Sequence, residues 1–89
     1  MIRSELLKQA AECEARASKL STLADKLEKA HNLLEEARDE LASLCDASVI
    51  NDMRAARSRT WSVVCELKAE VDTIRAEQAR LIEEAGRVA

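Results

Sequence analysis

The sequence predicts an all-α protein: a long antiparallel helical hairpin of coiled-coil type that pairs into a dimeric four-helix bundle. Three observations predict it. Leu6, Cys13, Leu20, Leu27, Leu34 and Leu41 stand seven apart, with Leu23, Ala30, Ala37 and Leu44 three residues after the later members, which makes a heptad seam. A second seam follows, in which Ile50, Val64, Val71 and Ala85 alternate with Met53, Leu67, Ile74, Leu81 and Val88. The composition agrees, because Pro is absent, Gly86 is the single glycine, and 35% charged with 47% hydrophobic residues matches long helices rather than a disordered chain.

The two seams do not join. Extending the first past Leu44 would place Ser48, Asn51, Ser58, Ser62 and Cys65 in it, an offset of two positions. Coiled coils absorb inserted threes or fours, so one helix must end and another begin. The expected organisation is a single helical domain over 1–89, with a helix over about 2–46, a loop over about 46–51 and a helix over about 51–87.

In the first helix the stretch from Leu20 to Leu44 promises the tightest packing, helped by small residues at Ala10, Ala17, Ala24, Ala30 and Ala37. Gln9 and Arg16 fall at companion positions of the seam, so the end holding both termini is expected to loosen, with Gly86 adding to it. The loop offers Asp46, Ser48 or Asn51 as a helix N-cap but has neither Gly nor Pro. One kinked helix, dimerising parallel or antiparallel, is the alternative. A turn near residues 48 and 49 would bring Cys45 level with Asp52, Cys65 with Asn32 and Cys13 with Glu84. Cys45 and Cys65 would then lie far beyond the roughly 7 Å limit between Cα atoms of a disulfide, so no intrachain disulfide is expected.

In the second helix the seam is interrupted by Gln78. Leu7, Leu33, Ala56, Trp61, Val63 and Ile82 flank the two seams and widen the apolar stripe beyond what one neighbour covers. A second copy is the simplest cover, which makes a homodimer the expected state. Asp25 with Lys29, Glu12 with Arg16, Lys68 with Asp72 and Glu83 with Arg87 are i,i+4 opposite-charge pairs that mark solvated helix faces.

A net charge of -3 does not suit wrapping a nucleic acid or lying on an anionic membrane. Residues 1–11 show no leader-like apolar core and no window reaches a membrane span, so a cytoplasmic location without membrane association is expected, in keeping with reduced thiols.

Glu28 and His31 form an E-x-x-H step, and with Glu66 the set is similar to part of the carboxylate-bridged di-iron bundles. Glu28 and Glu66 both fall off the seam, however, so no metal or other cofactor is expected, and His31 is read as a partly exposed residue beside Trp61 and Glu35. Arg54, Arg57 and Arg59 form the densest basic cluster, joined by Arg38, and the opposed Glu35, Glu36, Asp39 and Glu40 neutralise it. Trp61 serves either oligomer packing or docking, tryptophan being enriched at interface hot spots. Without a Ser/His/acid or Cys/His set or a Gly-rich phosphate loop, no enzyme is expected.

The reading is a small non-catalytic protein–protein interaction module that occludes or scaffolds a partner surface. Its partner-binding candidates are Trp61, Val63, Arg54, Arg57, Arg59, Glu35, Glu36, Asp39 and Glu40. Met53, Arg54 and Ala55, followed by Trp61, Val64 and Cys65, resemble a stretch in small all-helical phage proteins that inhibit CRISPR effectors. That resemblance implies, as an alternative, an inhibitor that blocks a host defence nuclease or effector complex by protein contact. A structural or assembly coiled-coil subunit is another alternative, and a metal-binding four-helix bundle a further one.

Overall fold

The computed structural model describes residues 2–88, which form two helices, α1 Arg3–Leu41 and α2 Ala47–Arg87, folded as a hairpin. No strand occurs among the described residues. The all-α hairpin is as the seams require. The chain divides into two compact units: a terminal unit, which pairs α1 up to Thr22 with α2 from Leu67 onward, and a turn unit, Leu23–Glu66.

The turn comes earlier than the sequence suggested. Asp46 takes the N-cap role, its carboxylate accepting the Val49 N–H at 3.2 Å, and this lets α2 start at Ala47 rather than near residue 51. The α1 carbonyls at Arg38 and Leu41 accept the N–H groups of Ala42 and Cys45, closing the helix without Gly, Pro or any positive φ among the described residues. Helix α1 therefore ends at Leu41, not near 46. An earlier turn changes every cross-helix level. Glu14 meets Arg75 and Glu35 meets Arg57, where a turn at residues 48 and 49 would have set Glu83 and Ser62 opposite them. Cys65 is likewise no longer level with Asn32, nor Cys13 with Glu84. Cys13, Cys45 and Cys65 are free thiols.

In the terminal unit Leu6, Ala10, Leu81 and Ala85 form one buried cluster, with Cys13 and Val88 against it. Ala17, Val71 and Ile74 form the next, flanked by Cys13 and Leu20. The row beside Leu6, Cys13 and Leu20 is thus Ala10 and Ala17, four residues on. Alanine leaves room for the β-branched and leucine side chains of α2 to reach the α1 backbone, so close approach selects this row. Gln9 and Arg16, assigned to the seam from sequence, fall outside it, and Arg16 reaches Glu70 at 3.4 Å. Far from loosening, this unit holds most of the buried apolar residues, and α2 runs through Gly86 to Arg87. Across it Arg75 pairs with Glu14 at 3.0 Å. Arg80 binds Glu77 and Glu84, and Arg87 closes the expected pair with Glu83 at 2.6 Å.

The turn unit is packed differently. Ala24 and Val64 are its buried apolar residues among those described, and Leu27, Leu34, Leu41, Ile50 and Met53 are half-buried along the seam. The second seam keeps its predicted register, but Arg57 and Thr60 occupy two of its positions and His31 and Arg38 face it from α1. The sequence reading placed the tightest contacts in this stretch, but most of the buried apolar residues lie in the terminal unit. Leu23, expected inside, is 42% exposed because the α1 contact row continues through Ala24 instead, and Leu44, also expected inside, is 78% exposed in the turn beyond the end of α1.

Candidate functional site

Around Trp61 the turn unit forms an open groove of about 410 Å³ lined by His31, Glu35, Arg57, Ser58, Trp61 and Ser62. Helical spacing explains the set. On α1, His31 and Glu35 are one turn apart, and on α2 Arg57 and Trp61 are likewise one turn apart, so both pairs project toward the same side of the seam. Arg57 Nη1 donates to Glu35 Oε1 at 2.7 Å, and the arginine side chain keeps 26% of its exposure. The His31 and Trp61 rings lie 5.0 Å apart at 41°, a tilted contact within the range of favourable aromatic pairs. His31 Nδ1 sits 3.4 Å from Asn32 Oδ1. The predicted neighbourhood of His31, beside Trp61 and Glu35, is the one observed.

The groove presents an indole, an imidazole, a charge-compensated guanidinium and two serine hydroxyls. Such a surface can stack against a flat or apolar side chain and hydrogen-bond around it. Glu66 lies five residues beyond Trp61, more than a helical turn from the level of His31, so it does not complete the E-x-x-H set. No group of three or more His, Cys, Asp or Glu able to hold a metal ion occurs among the described residues.

The remaining candidates are dispersed. Arg57 turns into the seam, Arg54 shares the flank of Trp61, and Arg59 stands on the outer face of the other flank, so the three arginines form no common patch. Arg38 bonds its neighbour Asp39 at 2.9 Å. Glu36, Asp39 and Glu40 are exposed on α1, and Glu35 is the member of the acidic strip that pairs across the hairpin, with Arg57.

Val63, 42% exposed, lies across the seam from Trp61 and belongs to a second surface. Helical register sets it beside Val49 and Ala56 on α2 and next to Leu23, Ala30 and Ala37 on α1. Leu23 and Leu44 were missed as surface residues because their seven-residue spacing mimics a seam. The signal that distinguishes the two rows is the alanine spacing at Ala10, Ala17 and Ala24. No protein-family model, curated protein or solved structure matches the chain.

Proposed function

We propose that this chain is a non-catalytic protein–protein interaction module that self-associates into a dimeric four-helix bundle and offers the Trp61 groove to a different protein. One observation carries the reading. The turn unit leaves Leu23, Leu33, Leu44, Val49, Trp61 and Val63 more than 40% exposed while burying little else, an apolar exposure typical of surfaces that meet another macromolecule. Trp61 lies on one side of the seam, in a groove otherwise lined by polar side chains, and Leu23, Val49 and Val63 lie on the other, which suits one foreign contact and one self-contact.

The groove favours a protein over a nucleic acid as the foreign partner, because its arginine is already compensated by Glu35. Aromatic and arginine side chains at its centre are the residue types that dominate binding energy at protein interfaces.

Trp61 is the single tryptophan, so its fluorescence reports on the groove directly. The test is the solution mass in reducing buffer over a wide concentration range, with acrylamide quenching of Trp61 measured on the same samples. The expected result is a mass that doubles while quenching stays constant. A mass that never rises would contradict self-association, and quenching that falls as the mass doubles would assign the groove to the self-contact.

A further inference from the structure

We propose that a second copy of this chain covers the Leu23–Val63 face of the turn unit, antiparallel to the first, about a two-fold axis at the level of Leu33 on α1 and Ala56 on α2. This rests on the self-association reading and fixes its face and register.

The Glu35–Arg57 ion pair and the His31–Trp61 contact lie on one side of the turn unit. The opposite side is apolar on both helices. Along α1 its row is Leu23, Ala30 and Ala37, and Leu44 follows in the turn beyond the end of α1, its N–H bonded to the Leu41 carbonyl. Along α2 the row is Val49, Ala56 and Val63. Each row reads the same from either end. An isologous contact demands this, since both copies use one patch. An antiparallel copy sets Leu23 against Leu44 and Ala30 against Ala37, while Val49 meets Val63 and Ala56 meets itself. The two row centres also agree, because the Glu35–Arg57 pair puts them within about one helical turn of the same level.

Charge supplies the independent argument. Outside the α1 row stand Lys26, Leu33 and Glu40, all exposed, and outside the α2 row stand Asp52 and Arg59. Among the described residues none of these four charged groups makes an ion pair within the chain. The same axis brings Lys26 opposite the second copy's Glu40, Asp52 opposite its Arg59, and Leu33 against its own counterpart. Opposite charges therefore rim the apolar centre on both helices. Two helices side by side over this stretch span roughly 30 Å by 20 Å. The resulting patch, on the order of 600 Å² per copy, approaches the roughly 800 Å² per partner of specific complexes. The same contact covers the open sides of Leu27, Leu34 and Leu41, half-buried in one chain.

The experiment is sedimentation equilibrium on the wild type, Lys26→Glu, Glu40→Lys and the double reversal, with helicity followed by circular dichroism. Each single reversal sets like charges face to face at two symmetric places and is expected to weaken the dimer about tenfold, with helicity unchanged. The double reversal restores opposite charges and returns wild-type affinity. A dimer indifferent to the single reversals, or a double variant as weak as the singles, overturns the face and register but leaves self-association standing. A wild type that stays monomeric at every concentration overturns both.

Discussion

Asp46 decides where this chain turns. Its carboxylate satisfies the Val49 N–H, one of the amides that the first turn of α2 cannot bond internally, and no glycine or proline shares the task. Asp46→Ala is expected to destabilise the protein by about 1 kcal/mol, read as a lower midpoint in urea denaturation, while Asp46→Asn retains most of the cap. Glu14 shows residue-level electrostatics of another kind. The Ser18 hydroxyl, then Gln78, then the Arg75 guanidinium hold its carboxyl below the ordinary carboxylate value. A depressed native pKa means that the charged form is favoured by folding. Its contribution is therefore full above the ordinary carboxylate range and disappears as pH falls through the lowered native value. Wild type should melt above Glu14→Gln at pH 7, and the gap should close in acid. A gap that persists at low pH would assign the effect to packing.

At the scale of the helices, stability is concentrated where alanine meets larger side chains. Leu81 and Ile82 are neighbours in sequence, yet one is 3% exposed and the other 50%. Leu81→Ala should cost about 2–5 kcal/mol in denaturant titrations. Ile82→Ala should stay within about 0.5 kcal/mol, as surface changes generally do. Similar losses for the two would contradict the seam assignment. The α2 seam was legible because a single apolar row pair recurs there, from Ile50 to Val88. On α1 two rows compete beside the leucines, three residues on at Leu23, Ala30, Ala37 and Leu44, and four residues on at Ala10, Ala17 and Ala24. Counting hydrophobicity favours the first, whereas close helix approach selects the second, because the partner's bulk must fit somewhere. The turn was misplaced for a related reason. Three residues there have capping chemistry, and only the hydrogen bond to Val49 shows which is used. His31 beside Trp61 and Glu35 was legible, but Ser58 and Ser62 gave no signal, since a hydroxyl on a helix is unremarkable without its neighbours.

For the whole molecule, a net charge of -3 and a pI near 5.2 go with exposed helix faces laced by ion pairs. Among the described residues no helix is long and apolar enough to cross a membrane. Leu23, Leu44, Val49 and Val63 are exposed in the single chain, and the two palindromic rows they belong to have the two-fold symmetry that the proposed self-contact requires. A second copy there leaves the Trp61 groove on the outward side, so self-association and partner binding need not compete. The most direct measurement is the light-scattering mass of the wild-type chain in reducing buffer, from micromolar to millimolar concentration. The prediction is a rise from 9.9 kDa to twice that value as concentration increases. A mass fixed at 9.9 kDa throughout would contradict it, because the apolar face would then stand uncovered by any copy of itself.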